Sequence, residues 1–245
     1  MSNATVNWGT VLPSAPGHDG GGLRERKKAL TRQRLSDTAT QLFLEHGFDA
    51  VRVTEVAAAC DVSEKTVYNY FPTKESLVLD RWDSTAKALR AGIADTRKHP
   101  VDVVREILAD ELAALTGWLG AQRDQAAAAE SVRRFGRLVA TTPALRAYQN
   151  DTTNELVMTT TGLLASRAGL PADDPAPQIA ASALIGLWGV HFTALRKYLD
   201  GIRSPAEVHD AVTADVEAAA QLIRAGLDSR PWTPAAAAKA RLARG

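Results

Sequence analysis

The fold of this chain is decided by the stretch Ser63-Glu64-Lys65-Thr66-Val67-Tyr68-Asn69-Tyr70-Phe71-Pro72, whose pattern predicts one short helix. Ser63 is a good N-cap, because its hydroxyl can accept a hydrogen bond from a free amide of the first turn. Val67 and Phe71 lie four residues apart and share a face that can be buried. Pro72 disfavours helical geometry at the residue before it, so the helix ends there. The outer face keeps a cation, hydroxyls and an amide, namely Lys65, Thr66, Tyr68, Asn69 and Tyr70.

A second short helix is predicted just before this one, from Val53 to Cys60, with apolar residues three and four positions apart. Asp61 and Val62 form the link, which gives the order helix, tight turn, helix. The polar face of the later helix can meet phosphates and base edges, as a helix in a DNA major groove does. The pair therefore indicates a helix-turn-helix DNA-binding module.

Residues 29–89 resemble the DNA-binding end of the TetR (tetracycline repressor) family of transcriptional regulators. The resemblance rests on residue types and spacings over the motif at 52–71 and the segment that follows, which read Arg52…Val56-Ala57…Asp61-Val62-Ser63-Glu64-Lys65-Thr66-Val67-Tyr68-Asn69-Tyr70-Phe71-Pro72-Thr73-Lys74-Glu75-Ser76-Leu77. It implies an all-α fold of about nine helices. A three-helix DNA-binding domain would be followed by a larger helical domain for ligand binding and dimerisation.

Two residues depart from the family pattern. The position that usually holds a capping Ser or Thr is Arg52, which has no acceptor to offer the helix amides. Arg52 can instead place its guanidinium on a phosphate, with the Thr54 hydroxyl nearby. The turn position that usually holds Gly is Asp61, and Asp tolerates left-handed geometry better than most residues. We therefore expect the turn to be kept.

The resemblance also implies roles for individual side chains. Lys65, Thr66 and Asn69 lie where family members reach base edges or nearby phosphates, and most of the other matching polar positions contact the DNA backbone. An Asn amide suits adenine and a Lys ammonium suits guanine. The predicted DNA-binding residues are Arg52, Thr54, Ser63, Lys65, Thr66, Tyr68, Asn69, Tyr70 and Lys74. For Tyr70, a place in the small core with its hydroxyl at the rim is the alternative.

Charge is distributed unevenly along the chain. The formal net charge is only +1 over 245 residues, but Leu23–Arg34 contains six cations against Glu25, which gives this segment +5. A basic cluster next to a helix-turn-helix is the electrostatic pattern expected for DNA. The single cysteine, Cys60, forbids an internal disulfide and fits a reducing compartment. No secretion signal or unbroken membrane-spanning run is recognisable, so we predict a cytoplasmic protein with no membrane partner.

The composition and apolar spacing divide the chain into four segments. Residues 1–22 contain Pro13, Pro16 and three consecutive glycines, and are predicted to form a disordered N-terminal arm. Residues 23–89 form the DNA-binding domain, residues 90–227 a helical effector-binding and dimerisation domain, and residues 228–245 a flexible C-terminal tail. Apolar residues recur at helical spacing through the third segment, without β-type alternation.

Apolar residues that could line an effector cavity, as the resemblance implies, are Trp82, Leu89, Leu112, Leu115, Trp118, Phe135, Leu138, Leu156, Trp188 and Phe192. Ordinary helix-bundle core is the favoured interpretation for each one, because a sequence cannot reveal a gap. Arg133, Arg134 and Arg137 could hold an acidic effector such as an acyl-coenzyme A. A solvated salt-bridge network is the favoured alternative for these arginines. The predicted effector is a small molecule, either apolar or acyl-coenzyme A-like.

The last two predicted helices carry more apolar surface than one core needs. One stripe on the first of them includes Leu184, and a second stripe contains Ile179, Ala183, Gly186 and Val190. Two apolar faces indicate two partners, one being the chain's own core and the other a second copy. The predicted dimer residues are Leu184, Leu187, His191, Leu195, Val212, Val216, Ala219 and Ile223. A twofold dimer would present two recognition helices to a palindromic operator.

Three functions of different kinds are compatible with these patterns. The first is a homodimeric transcriptional regulator, a repressor that a small-molecule effector releases from its operator. The second is an effector-independent DNA-binding dimer, and the third is a helical enzyme tethered to DNA. The sequence contains no metal-ligand pattern, Gly-rich phosphate loop or nucleophile motif that such an enzyme would need. We therefore predict the regulator, with no catalytic residue, no metal site and no cofactor.

Overall fold

The structure is a computed structural model that describes residues 22–79, 82–171 and 173–228. Within these ranges the chain forms ten helices and no strand, which confirms the predicted all-α fold class. The helices are α1 (Leu23–His46), α2 (Val53–Ala59), α3 (Glu64–Tyr70), α4 (Ser76–Leu79), α5 (Trp82–Ala94), α6 (Pro100–Gly120), α7 (Gln125–Thr141), α8 (Pro143–Ala168), α9 (Pro175–Tyr198) and α10 (Pro205–Leu227). The predicted arm at 1–22 and tail at 228–245 lie outside the described residues, apart from Gly22 and Asp228.

The stretch from Lys74 to His99 contains two helices, α4 and α5. α4 begins at a reciprocal cap, in which the Ser76 amide donates to the Thr73 hydroxyl at 3.1 Å and the Thr73 amide donates to the Ser76 hydroxyl at 3.2 Å. α5 ends before Asp95, whose carboxylate accepts from the Arg97 amide at 3.1 Å and so stabilises a turn. The same arginine, through its side chain and amide, lowers the pKa of the Asp95 carboxyl from 3.8 to about 2.

The described residues fall into two compact units, and the first contains residues up to 83 together with 114–149 and 199–205. Its core contains side chains from the first four helices, together with Val139 of α7 and Leu145 of α8. Phe43 packs against Phe48 with ring centroids 5.0 Å apart, and Phe71 is fully buried. α7 and the first turns of α8 therefore belong to the same core as the helix-turn-helix, although the sequence assigned them to the second domain.

The second unit contains residues 84–113, 150–198 and 206 onward. Its core consists of aliphatic side chains from α5, α6, α8, α9 and α10, among them Leu89, Ile93, Leu108, Leu112, Leu164, Leu184, Val208 and Val212. α5 can approach α6 closely only because residue 92 is glycine, since a Cβ there would lie 2.3 Å from a Val103 methyl.

α9 is long and apolar enough to cross a membrane by length and composition alone. However, 44% of the apolar window is buried inside the protein, and core helices of soluble proteins pass the same test. The finding is weak evidence for a membrane segment, and it fits the role of α9 in the core of the second unit.

Candidate nucleic-acid interface

One side of α3 is polar and exposed, and the other side is apolar and buried. Val67 is 1% exposed and Phe71 is fully buried, whereas Tyr68 is 46% exposed. Lys65 and Asn69 are exposed as well, and Thr66 is half-buried. The spacing of Val67 and Phe71 therefore places the apolar side of α3 in the core and its amide, ammonium and phenol groups outside, as the sequence predicted.

Ser63 caps α3 as expected. Its hydroxyl oxygen accepts a hydrogen bond from the Thr66 amide at 3.1 Å, and its backbone is extended as an N-cap requires. The two hydroxyls of Ser63 and Thr66 also lie 2.8 Å apart, within hydrogen-bond distance. The first turn of α3 is therefore fixed by its own side chains, with both hydroxyls at the edge of the exposed face.

The C-terminal end of α3 is held by α1. The Arg32 guanidinium donates to the Tyr70 carbonyl at 2.6 Å and lies over the Phe71 ring, 4.6 Å from its centroid. This carbonyl is one of the last of the helix, which have no partner within the helix itself. Ser36, one turn further along α1, donates to the Leu77 carbonyl at 2.8 Å. Arg32 therefore acts inside the first unit, although the sequence counted it among the cations of the basic cluster.

Both departures from the family pattern keep the local geometry. Asp61 adopts a left-handed conformation, with φ of 54°, so the tight turn forms without glycine. At the start of α2, the Glu55 carboxylate accepts from the Arg52 amide at 3.1 Å, which completes the first turn without a capping side chain. The Arg52 and Thr54 side chains are both exposed at this helix start.

Lys74 lies in a different setting from the other predicted DNA-binding residues. Its side chain is half-buried, and its ammonium donates to the Phe48 carbonyl. The same nitrogen lies 4.3 Å from the centroid of the Phe48 ring and 5.4 Å from that of Phe43. These contacts join the loop after α1 to the segment after α3. Tyr70 is also half-buried and packs against the core of the first unit, which is the alternative that the sequence left open.

The residues predicted to line an effector cavity are divided between the two units. Leu115, Trp118, Phe135 and Leu138 belong to the first unit, and the last two pack against the core that supports the helix-turn-helix. Those of the second unit are Leu89, Leu112, Leu156, Trp188 and Phe192, of which all but Phe192 are buried. The Trp82 side chain lies outside the described residues. The structure therefore does not collect these ten residues in one unit.

The three arginines considered for an acidic effector are engaged within the first unit. Arg133 donates to the Glu130 carboxylate at 2.8 Å and to the Asp200 carbonyl at 2.9 Å. Arg137 donates to the same carboxylate at 2.6 Å, and Arg134 donates to the Leu44 carbonyl at 2.8 Å. Hydrogen bonds from Arg137 and Arg133 hold the pKa of Glu130 below its usual value. This geometry is the salt-bridge network that the sequence favoured.

A polar cluster that the sequence did not predict lies within the second unit. Glu111 of α6 accepts from the Thr85 hydroxyl at 3.1 Å and from the Trp188 indole N–H at 3.3 Å. Thr85 is 7% exposed and Trp188 is 3% exposed. The signal was a carboxylate placed within the apolar spacing of Leu108, Leu112 and Leu115, which an ordinary core helix avoids. Separately, the buried Thr160 hydroxyl has no hydrogen-bond partner among the described residues.

Five of the eight predicted dimer residues are buried within the chain itself: Leu184, Leu187, His191, Val212 and Val216. Leu195, Ala219 and Ile223 are half-buried. On the other stripe of α9, Ile179 is 70% exposed, whereas Ala183 and Val190 are half-buried, and on α10 Leu222 is 78% exposed. The physical reason is that Leu184 and Leu187 supply the inner side of α9. The Leu184 stripe therefore belongs to the chain's own core.

Metal chemistry has no visible basis in the described ranges, where no group of three or more His, Cys, Asp or Glu side chains could hold an ion. Cys60, the one cysteine of the chain, is 2% exposed and lies in the core of the first unit.

Two family models match the chain. The model described as "Bacterial regulatory proteins, tetR family" matches residues 35–80, and the model described as "MftR C-terminal domain" matches residues 113–228. The first range contains α2, α3 and α4, together with the second half of α1. The second range runs from α6 to the end of α10.

Similar proteins are regulators rather than enzymes. The mycofactocin biosynthesis transcriptional regulator MftR of Mycobacterium tuberculosis is 26% identical over 203 residues, which cover 83% of this chain and 94% of that protein. The HTH-type transcriptional regulator TcmR of Streptomyces glaucescens is 29% identical over 163 residues, covering 64% of this chain and 68% of that protein. Among solved structures, Thermus thermophilus FadR in complex with lauroyl-CoA is 20% identical, with a TM-score of 0.44, and the match covers 80% of this chain and 94% of that one. The chain belongs to the TetR family of bacterial transcriptional regulators.

Proposed function

We propose that the protein is a cytoplasmic, homodimeric repressor that binds a palindromic operator and is released from it by a small-molecule effector. The observation that carries the proposal is the exposed polar face of α3 on a fixed, buried base. Lys65, Tyr68 and Asn69 are all exposed there. Side chains of these types can make hydrogen bonds to base edges in a major groove and to the phosphates beside it.

The exposed residues take different roles in this proposal. Lys65, Thr66 and Asn69 contact base edges, with Asn69 on adenine and Lys65 on guanine. Tyr68 and the hydroxyl of Ser63 contact phosphates, as do Arg52 and Thr54 at the start of α2. Lys74 and Tyr70 instead position α3, since the Lys74 ammonium is already engaged by the Phe48 carbonyl and ring.

Dimerisation is supported by apolar surface that one copy of the chain leaves exposed on the second unit. Ile179, Ala183, Gly186 and Val190 follow one side of α9, and Ile179 is 70% exposed. On α10, Leu222 is 78% exposed, and the nearby residues Ala219 and Ile223 are half-buried. Burial of such a surface against a second copy is favourable, and a twofold axis then relates two copies of α3.

We place the effector site in the second unit, whose interior joins apolar side chains to the carboxylate of Glu111. The buried donors Trp188 and Thr85 hold this half-buried carboxylate. An apolar effector that carries a hydrogen-bond donor matches these groups. An acyl-coenzyme A has weaker support, because the arginines considered for it are engaged by Glu130, Asp200 and Leu44. An effector releases the operator only by its difference in affinity for the two states.

The DNA part of the proposal is tested by selecting duplexes from a random library with the purified full chain. We expect enrichment of a palindrome, and a mass of two chains by light scattering at the same concentration. A Lys65→Ala/Asn69→Ala variant should not enrich the same sequence. As a matched control, Lys87→Ala/Gln178→Ala changes one exposed cation and one exposed amide of the second unit and should enrich it normally. Failure of the unaltered protein to enrich any sequence would refute the repressor.

The effector part is tested by thermal shift with a library of apolar small molecules and acyl-coenzyme A thioesters. A compound that raises the unfolding midpoint and lowers affinity for the selected duplex supports an effector-controlled repressor. Stabilisation that Glu111→Gln weakens would support the site placed in the second unit. If every compound leaves both measurements unchanged, the effector-independent DNA-binding dimer is the better description.

A further inference from the structure

The first two turns of α1 form a basic surface outside the core. Arg24, Arg26, Lys27 and Lys28 are all exposed, and Leu30 is 67% exposed. The buried side of α1 begins only with residues such as Leu35, which is fully buried. Because this segment is so exposed, packing in the core does not explain its four cations.

The cations of this segment lie on two opposite sides of α1. Arg24, Lys28 and Arg32 are spaced by four residues and therefore follow one side of the helix. Arg26 and Arg34 follow another side, turned from Lys28 by about 160° and about 120°, respectively, at 3.6 residues per turn. Arg32 shows where the first side points, because its guanidinium donates to the Tyr70 carbonyl at the end of α3.

Arg24 and Lys28 therefore continue the side of α1 that contacts the C-terminal end of α3. At a rise of 1.5 Å per residue, Lys28 lies about 6 Å and Arg24 about 12 Å further along α1 than Arg32. α3 has seven residues and spans roughly 10 Å, which is close to the roughly 12 Å width of a major groove. Groups just beyond its end are thus at the distance of the phosphates that border the groove.

The charge pattern of this segment disfavours the helix by itself. Arg24 and Lys28 are like charges four residues apart, and both lie in the first turns, where the helix dipole opposes cations. A polyanion placed beside them removes both penalties. Sequence features that conflict with local stability are expected where a surface serves binding.

We propose that Arg24 and Lys28 bind DNA phosphates that flank the groove entered by α3, at the C-terminal end of that helix. The inference rests on the proposed DNA-binding function and extends its contact surface from α2 and α3 to α1. These contacts neutralise phosphates and do not read bases, so they act equally on operator and unrelated DNA.

The test compares two charge-matched double variants of the full chain. Arg24→Gln/Lys28→Gln removes two cations from the side that Arg32 shares, and Arg26→Gln/Arg34→Gln removes two from the opposite side. Each protein is titrated by fluorescence anisotropy against a 30-base-pair duplex carrying the selected palindrome, and against an unrelated duplex of equal length, from 50 to 300 mM salt. Circular dichroism confirms that both variants keep their helical content.

We expect Arg24→Gln/Lys28→Gln to lower the slope of log affinity against log salt by about 1.8, since each phosphate contact contributes about 0.9. The affinity should fall by the same factor on both duplexes, and Arg26→Gln/Arg34→Gln should change the slope by less than about half as much. Phosphate ethylation interference should lose its outermost positions only with the first variant.

Equal slopes for the two variants, or an unchanged interference pattern, would overturn this inference while leaving the repressor intact. If instead the unaltered protein binds neither duplex, the proposed function fails and this inference fails with it. The two failures are therefore distinguishable by the titration of the unaltered protein alone.

Discussion

In the unit that carries α3, three side-chain donors that bond to other elements are half-buried, whereas in the other unit the donors Trp188 and Arg167 are buried. Arg32, Ser36 and Lys74 each donate to a carbonyl of another element of the first unit. In the second unit, Glu111 meets Trp188, and Arg167 donates to the carbonyls at the end of α5. The first arrangement fixes a surface for an external partner, and the second gives an interior that depends on its own polar contacts.

The largest expected effect comes from Arg167→Met in the second unit. Arg167 is 6% exposed, and its guanidinium donates to the carbonyls of Ile93, Asp95, Thr96 and Lys98. The substitution removes the donor from all four carbonyls, including the buried one of Ile93, so we expect the free energy of unfolding in urea to fall by about 3 kcal/mol. The exposed Arg97→Met should leave it nearly unchanged. Similar losses for the two variants would remove the contrast between interior and surface.

Lys74→Met should affect stability more than DNA binding. The variant keeps an apolar side chain but loses the hydrogen bond to the Phe48 carbonyl and the cation–π contacts, which we expect to cost about 2 kcal/mol. The salt dependence of DNA affinity should not change, because the ammonium is engaged inside the first unit. Lys65→Met is the matched control, with the reverse outcome expected: weaker affinity for the selected duplex at unchanged stability. A lower salt slope for Lys74→Met would show that this lysine reaches a phosphate.

Ser63→Ala tests whether the exposed face of α3 depends on its cap. Loss of the hydroxyl leaves the Thr66 amide without its acceptor, and a lost N-cap typically costs about 1 kcal/mol. Ser63→Thr keeps an acceptor and should cost only a few tenths of that value. Thermal unfolding followed by circular dichroism distinguishes the two. Equal midpoints for both variants would mean that the cap contributes little to α3.

The smallest expected effect is a pH-dependent change in stability that comes from the turn after α5. The pKa of Asp95 is about 2 in the folded protein, below the usual 3.8 of an aspartate side chain. A lowered carboxyl pKa contributes stability above about pH 4, and this contribution is lost as the pH falls toward 2. Asp95→Asn should therefore lower the unfolding midpoint at pH 6 and make less difference at pH 3. A difference that stays constant between these pH values would contradict the ionised pairing with Arg97.

The first unit was more predictable from sequence than the second because its signals are local. Ser63 and Thr66 are three residues apart, Val67 and Phe71 are four apart, and Asp61 alone sets the turn. The inward contacts of Arg32 and Lys74 were missed, because their acceptors are main-chain carbonyls 38 and 26 residues away. Every residue has a main-chain carbonyl, so a sequence cannot indicate which one will accept a hydrogen bond.

In the second unit the deciding contacts are long-range. Glu111 and Trp188 are 77 residues apart, so neither predicts the other. Helical spacing revealed two apolar stripes on α9 but could not say which one faces inward, and Leu184 proved to be on the inner stripe. Phe135 and Leu138 were likewise recognised as packing residues, but spacing alone could not assign them to the core of the first unit.

The claim that the exposed face of α3 reads DNA is tested most directly by the ratio of two affinities. Wild-type protein and Lys65→Ala/Asn69→Ala are each titrated at one fixed salt concentration against the selected duplex and an unrelated duplex of the same length. Each bidentate base contact contributes about 1–3 kcal/mol of discrimination, so the ratio should fall at least about tenfold in the variant. An unchanged ratio, with the variant fully folded, would contradict the account.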